Sequence, residues 1–125
     1  MRYEVAAEGA AGFEMVDWAT QLRKGLLEMV VLANIARDGE AYGYSIVEKL
    51  SRLPGLELSE STVYPMLSRL AKDRLLAVRN EPSPSGPPRR YYRLTPLGVR
   101  RLGEMQHTWK LVSQSVAALI EGGAS

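Results

Sequence analysis

Cysteine is absent from this chain of 125 residues, and histidine occurs once, at position 107. The lack of cysteine excludes disulfides, thiol nucleophiles and cysteine-based zinc sites. No apolar run approaches the roughly 20 residues needed to cross a bilayer, and the first residues lack the charged-then-apolar order of a signal peptide. We therefore expect a cytoplasmic protein with no membrane partner.

Groups suited to catalysis are scarce as well. His107 has no cysteine and no evident acidic neighbour with which to form a triad, so we expect a solvated or packed side chain. The early glycines, such as Gly9 and Gly12, neither follow a strand nor precede a Gly-Lys-Ser/Thr pattern, which argues against a phosphate-binding loop. The sequence predicts a non-enzyme without a cofactor or metal.

The charge is small overall but unevenly distributed. The net charge is +2, with 6 Lys/Arg against 10 Asp/Glu in residues 1–60 and 10 against 4 in residues 61–125. A basic half is compatible with a polyanionic partner, although such a split is often only solvated surface. The charge pattern therefore needs a structural context.

The first half of the chain predicts an arm and two helices. Residues 1–15 are rich in Ala and Gly without a sustained period, which predicts a mobile arm. A helical pattern begins at Asp17, and residues 25–36 ("GLLEMVVLANIA") are apolar nearly all round, as in a buried helix. Next, "YGYSIVEKLSRL" places Ile46, Leu50 and Leu53 on one face and ends at a Pro-Gly pair.

The stretch "LSESTVYPMLSRLAKDRLL" (residues 58–76) predicts a third helix. Ser59 or Ser61 can cap its start. Pro65 is tolerated if the helix starts at Ser61, because the proline then lies near the first turn, where few amides have partners. One face is apolar, with Val63, Met66, Leu67 and Leu70. The opposite face carries Ser61, Pro65, Ser68, Arg69 and Lys72.

Residues 75–81 ("LLAVRNE") and 89–95 ("RRYYRLT") have strand composition and flank a Pro/Ser/Gly segment, which predicts a hairpin with a rigid tip. Alternation places Arg89, Tyr91 and Arg93 on one face and Arg90, Tyr92 and Leu94 on the other. With Leu94 in the core, Tyr92 should be partly buried, and Arg89 and Arg90 could reach phosphates or the minor groove. The alternative is a surface hairpin whose arginines only face solvent.

Three helices followed by a hairpin is the order of a winged helix-turn-helix, in which the third helix enters the major groove and the wing lies along the backbone. The fold class we predict is therefore mainly α with a small β-hairpin, extended by a long C-terminal helix. The predicted organisation is an arm (1–15), a winged helix-turn-helix (16–95) and a C-terminal dimerisation helix with a short tail (96–125).

Four motifs resemble PadR-like transcriptional regulators, from about residue 22 to the end: "RKGLLEMVVLANI", "YGYSIVEKL", "STVYPMLSRLAKDRLL" and "GPPRRYYRLTPLG". The resemblance implies a DNA-binding role for Thr62, Tyr64 and Pro65 in the recognition helix and for Arg89 and Arg90 in the wing. Ser61 departs from the pattern, since many relatives have glycine there. The smaller members of this family dimerise through a single C-terminal helix, and members respond to phenolic acids, drugs or other aromatic compounds.

The final segment predicts a long helix. Thr95 followed by Pro96 is typical of an N-cap and first helical position. A helix from residue 96 to about residue 121 would be roughly 39 Å long, too long to bury one stripe against so small a domain. Its apolar positions recur with heptad spacing at Leu102, Met105, Trp109, Val112, Val116 and Leu119. We expect this seam to form a homodimer, the alternative being that it packs on its own core.

Two functions of different class remain open. The favoured one is a transcriptional repressor that binds double-stranded DNA sequence-specifically, as a homodimer on a pseudo-palindromic operator. The rival is a winged-helix module whose basic face docks an acidic protein. Trp109 is the candidate residue for binding a small aromatic effector, because the resemblance includes multidrug-sensing relatives with a tryptophan at a similar point of the same helix. The alternative is that Trp109 only packs in the dimer interface.

Overall fold

A computed structural model describes residues 11–122, with side chains from residue 17 onward. The elements, in chain order, are α1 (Ala11–Asp38), β1 (Ala41–Tyr42), α2 (Gly43–Ser51), α3 (Glu60–Lys72), β2 (Leu76–Ser83), β3 (Gly86–Leu94) and α4 (Pro96–Glu121). This order confirms the predicted winged helix-turn-helix with a long C-terminal helix. Within the described range, no helix is both long and apolar enough to span a membrane.

The first helix begins earlier than the sequence predicts. Residues 1–10 of the predicted arm lie outside the described residues. Residues 11–15 are already helical, in one continuous helix with the apolar segment that follows. The reason is that alanine, glutamate and methionine favour helices, and a glycine near a helix end costs little once the rest of the helix is packed. Residues 11–15 of the predicted arm are therefore helical, and the arm itself stays a prediction.

The core is formed by one apolar stripe from each of the first three helices. Its most buried side chains are Val31, Leu32, Ile35, Ile46, Leu50, Val63, Leu67 and Leu70. In α2 and α3 these residues are three or four positions apart, and in α1 the adjacent Val31 and Leu32 lie four and three positions before Ile35, so each set shares a face. The sequence predicts that Leu53 belongs to the second stripe, but α2 ends at Ser51 with Arg52 as its C-cap. Leu53 therefore lies beyond the helix and is 36% exposed.

The sheet has three antiparallel strands in the order β1-β3-β2. The predicted alternation is confirmed on β3, since Tyr92 is only 4% exposed and Leu94 packs against the core. The sequence does not predict the short strand β1, which pairs Ala41 with Tyr92 and Tyr42 with Tyr91. Two residues are too few for a period-2 pattern to be visible in the sequence.

The wing tip is shorter than the sequence predicts. The predicted strands end at residue 81 and resume at residue 89, but β2 runs to Ser83 and β3 starts at Gly86. The register shifts between Glu81 and Ser83, which marks an irregularity of the bulge type. Prolines are tolerated here because β2 is an edge strand, and because β1 pairs with β3 only at Tyr91 and Tyr92. Several residues of the wing therefore need no backbone N–H for the sheet, and proline, which lacks one, can occupy them.

The start of α4 is fixed as the sequence predicts. Thr95 is the N-cap, and its Oγ1 accepts the Gly98 N–H at 3.0 Å, while Pro96 opens the helix. The same hydroxyl lies 2.7 Å from the carbonyl oxygen of Arg74, to which it donates. A Cβ on Gly98 would overlap the carbonyl oxygen of Leu75, so α4 packs directly on the backbone that leads into β2.

We predict that Gly98→Ala destabilises the protein by about 1–3 kcal/mol, because a methyl group has no space against the Leu75 backbone. Gly103→Ala is the matched control on the same helix, since nothing lies within 4 Å of its added Cβ. That variant should be more stable by up to about 1 kcal/mol through helix propensity. Urea unfolding followed by circular dichroism measures both, and equal stabilisation by the two substitutions would contradict the close approach.

Candidate nucleic-acid interface

The recognition helix α3 is anchored through Val63, Leu67 and Leu70, all fully buried. Its other side carries the residues that the sequence predicts to contact DNA, and all of them are exposed: Ser61, Thr62, Tyr64, Pro65, Ser68, Arg69 and Lys72. A helix held by one apolar stripe presents its polar side as a fixed surface. The structure therefore brings these seven residues onto one accessible helix.

The start of α3 is open to solvent. Ser59 is the N-cap residue, so the helix begins earlier than a start at Ser61 would allow, but the Ser59 side chain forms no capping hydrogen bond. Its hydroxyl instead shares hydrogen bonds with the hydroxyls of Ser61 at 2.9 Å and Thr62 at 3.2 Å. These three hydroxyl groups consequently form a small polar cluster at the positive end of the helix dipole.

Pro65 lies deeper in the helix than predicted. Because α3 starts at Glu60, the proline is its sixth residue and not part of the first turn. The missing N–H would have bonded to the carbonyl of Ser61, so that carbonyl lacks its i+4 donor. Both residues are exposed, so the Ser61 carbonyl can be hydrated or accept from a ligand.

Arg69 differs from the other polar residues of this helix. Its Nη2 lies 2.8 Å from Oε1 of Glu28 on α1, and its Nε lies 3.9 Å from a carboxylate oxygen of Asp73. Lys72, by contrast, has no salt bridge within the described residues. Of the two cations predicted on this face, Lys72 is therefore the one with an unneutralised charge.

The two arginines of the wing, Arg89 and Arg90, are exposed and form no salt bridge in the part of the chain that is described. Each lies near an aromatic ring instead: the Arg89 Cζ is 5.5 Å from the ring centroid of Tyr42, and the Arg90 Cζ is 5.9 Å from that of Tyr92. An aromatic face positions a guanidinium without cancelling its charge. Both arginines remain available to an anion.

Arg79, which lies opposite Tyr91 in the wing, is neutralised. It donates to both carboxylate oxygens of Glu40, at 2.7 and 2.8 Å, and to Glu81 at 3.1 Å. Hydrogen bonding to Arg79 also holds the pKa of Glu40 below its usual value. Arg79 therefore differs from Arg89 and Arg90, which lie opposite Glu81 and Asn80 in the next two pairs of the ladder and have no salt bridge among the described residues.

Sequence reasoning missed a cluster of aromatic residues where β1 meets α2. A cavity of about 400 Å³ joins this point to the recognition helix and the wing; its lining is Tyr42, Gly43, Tyr44, Tyr64, Ser68, Pro88, Arg90 and Tyr92. The signal in the sequence was the "YGY" motif at residues 42–44, in which a glycine separates two tyrosines. The glycine allows a close approach, because a Cβ on Gly43 would lie 3.4 Å from the Tyr92 ring. Burial raises the pKa of Tyr64, so its phenol stays a neutral hydrogen-bond donor at physiological pH.

The apolar seam of α4 divides into two parts. Leu102 is 7% exposed and belongs to the core of its own chain, against which Met105 also packs. Leu102 therefore packs on its own chain, as the alternative expects, whereas Met105 is only partly buried. The remaining four are exposed by 44% to 84%: Trp109, Val112, Val116 and Leu119.

Trp109 also lines an open groove between α1 and α4. The groove has a volume of about 580 Å³, and its lining includes Leu22, Met29, Met105 and Val112. Arg101 and Glu104 also line this mainly apolar surface.

His107 lies on an exposed part of α4. The described residues contain no cluster of acidic and histidine side chains that could hold a metal ion.

Together, an anchored recognition helix and a basic wing define a winged-helix protein of the DNA-binding type. A sequence profile of the transcriptional regulator PadR-like family matches residues 31–104. The chain belongs to this family, whose members are transcriptional regulators and not enzymes.

Solved structures of family members agree. The chain is similar to a PadR family transcriptional regulator from Eggerthella lenta DSM 2243, with 34% identity and a TM-score of 0.75 over 90% of this chain and 96% of that one. A PadR-like regulator from Bacillus cereus strain ATCC 14579 gives 36% identity and a TM-score of 0.70 over 80% and 96% of the two chains. A transcriptional regulator from Mycobacterium tuberculosis is 37% identical over 65% of this chain and 74% of its own.

Proposed function

We propose that this regulator binds double-stranded DNA sequence-specifically as a homodimer, on a pseudo-palindromic operator, and represses transcription by occupying it. The observation that carries this proposal is the placement of unneutralised cations, Lys72, Arg89 and Arg90, on the recognition helix and the wing. Phosphate contacts from such cations position a protein on DNA, while helix side chains in the major groove read bases.

Base reading is assigned to the start and middle of α3. Thr62 and Ser61 belong to the polar cluster at the helix start, and Tyr64, Pro65 and Ser68 are further exposed residues of the same helix. Short hydroxyl side chains can donate to or accept from base edges, and the ring of Pro65 offers an apolar contact such as a thymine methyl prefers. The sequence places Arg69 in this set, but its ion pair with Glu28 argues for a supporting role.

Dimerisation is assigned to the distal part of α4. Trp109, Val112, Val116 and Leu119 form an exposed stripe with heptad spacing on a helix of 26 residues, about 39 Å long. Burying a stripe of this kind against a second copy removes apolar surface from water at roughly 25 cal/mol per Å². The proximal members, Leu102 and Met105, would then fix the stripe to the core of each protomer.

An aromatic effector is the proposed ligand of the groove between α1 and α4. Its volume of about 580 Å³ lies within the range of small-molecule sites, and its lining is mainly apolar with the indole of Trp109 at the surface. A planar aromatic compound could stack on that indole. Ligand and dimer share residues here, so binding of one would affect the other.

The experiment that tests the function is selection of bound sequences from random duplex DNA at physiological salt. We expect a pseudo-palindrome whose half-sites are about 34–36 Å apart, or a multiple of that distance, because two recognition helices on one symmetric dimer must meet the major groove on one face of the duplex. Tight binding of a monomer to a single half-site at the same concentration would contradict the dimer. Binding to acidic proteins with no duplex preference would favour the rival interaction module.

Substitutions should separate positioning from reading. Arg89→Ala or Arg90→Ala should weaken binding to all duplexes similarly and reduce the slope of log affinity against log salt by roughly one unit for each phosphate that is no longer neutralised. Thr62→Ala or Tyr64→Phe should act mainly on the selected site. Arg79→Ala is the matched control in the same wing, because its charge is already neutralised by two carboxylates. Unchanged affinity and slope in both variants of the wing tip would show that the wing does not bind DNA.

Trp109 can be tested as part of an effector site by its fluorescence. The chain has two tryptophans, so a Trp18→Phe variant leaves Trp109 as the single reporter. Titration with phenolic acids and planar dyes should quench or shift its emission, and Trp109→Ala should abolish binding of these compounds. A role in packing alone would only raise the dimer dissociation constant of Trp109→Ala. If no compound changes the emission up to millimolar concentration in a dimeric sample, Trp109 is a packing residue only.

A further inference from the structure

Glu28, in the middle of α1, is the one charged residue that is buried among the side chains the structure describes. Its side chain is 10% exposed, and both carboxylate oxygens are used. Oε1 accepts from Nη2 of Arg69 at 2.8 Å, and Oε2 accepts from Nε of Arg101 at 2.7 Å. One carboxylate therefore holds two arginines from two other helices.

The two arginines come from the elements that matter most to the proposed function. Arg69 lies on α3, the recognition helix, and Arg101 lies on α4, the helix with the proposed dimer stripe. Charge-assisted hydrogen bonds are short and directional, and their strength increases where water is excluded. A carboxylate on α1 that is shared in this way constrains the orientation of α3 relative to α4.

Arg101 also stands between two cavities. It lines the groove of about 580 Å³ that contains Trp109, and it lines a second cavity of about 400 Å³ together with Glu28 and Arg69. A molecule in the groove that binds the guanidinium of Arg101 would compete with Glu28 for its donors. The carboxylate thus forms a polar connection between that groove and the recognition helix.

We propose that Glu28 is a positioning residue for DNA reading, which sets the angle between the recognition helix and the dimer helix through Arg69 and Arg101. This inference rests on the proposed function, since it needs a dimer whose two α3 helices read two half-sites. Arg69 is then a structural partner of Glu28 and does not bind phosphate. Because the angle repeats in both protomers, a change in it alters the distance between the two recognition helices.

The test compares Glu28→Gln and Arg101→Gln with the unmodified protein on duplexes that carry the selected half-sites at a series of spacings. Glutamine at position 28 keeps the shape but has only one acceptor oxygen, and its NH₂ would face an arginine donor. Asp38→Asn is the control, because it also removes one negative charge, here from a single surface ion pair with Lys49 at 2.6 Å. That pair joins α1 to α2 and does not involve α3 or α4.

The bridge variants are Glu28→Gln and Arg101→Gln. In each, we expect the ratio of affinities between the best and the next best spacing to fall about tenfold, and the double variant should show no further decrease. Asp38→Asn should keep the preference. Partial unfolding would lower the active fraction equally for every spacing and leave the preference intact, so this readout separates positioning from stability. Should Glu28→Gln fail to fold, Arg101→Gln provides the same comparison, since its side chain is 49% exposed.

Two results would overturn the inference: an unchanged spacing preference in the folded bridge variants, or an Arg69→Gln variant whose salt slope falls by about one unit, as expected for a residue that neutralises a phosphate. An unchanged slope with a broadened spacing preference in Arg69→Gln supports it. Failure of the unmodified protein to bind any selected duplex would instead refute the proposed function, and the inference with it. The unmodified protein and the variants thus report on the two proposals separately.

Discussion

The direction in which the long helix leaves the winged-helix core depends on the packing of Thr95 and Gly98 against the backbone around Leu75. The Thr95 hydroxyl connects the Arg74 carbonyl to the first turn of α4, the Thr95 N–H donates to the Leu75 carbonyl at 3.1 Å, and Gly98 leaves no space for a side chain against that same group. The end of the wing and the start of α4 are therefore one rigid junction. Any symmetric pairing of the distal helix converts this local geometry into a fixed relation between two recognition helices.

The positive charge of the second half of the chain has two different uses. Arg69, Arg79 and Arg101 are paired with carboxylates, two of them with Glu28 and one with Glu40 and Glu81. Other cations have no carboxylate partner in the described range, including Lys72, Arg89 and Arg90 on the proposed DNA surface. A net charge cannot distinguish these groups, because pairing depends on which acidic residues the fold brings near. The field that a polyanion would meet therefore comes from a subset of the basic residues.

How much the sequence could predict depends on the range of the interactions involved. The stripe of α3, the Thr95 cap and the alternation of Tyr92 and Leu94 are local patterns, and each was predictable from periodicity or from one capping rule. The bridge at Glu28 was not, because its partners lie 41 and 73 residues away and the carboxylate occupies a helix segment that is otherwise apolar. The strand β1 was missed for the related reason that two residues carry no period. Of the candidate site, the exposed residues were thus predictable, and the aromatic cavity and the bridge were not.

The division of the α4 seam explains why one helix can serve both fold and assembly. Leu102 completes the core of its own chain, so the proximal turns are stable without a partner, whereas the distal stripe from Trp109 to Leu119 has large apolar side chains in water. A monomer would expose this stripe at a cost that scales with its area. The proposed dimer would remove this cost by mass action, and apparent stability would then rise with protein concentration. An effector in the groove beside Trp109 would bind at the boundary between these two parts of α4. There it would contact the indole of the distal stripe and also Arg101, whose ion pair with Glu28 connects to Arg69 on the recognition helix.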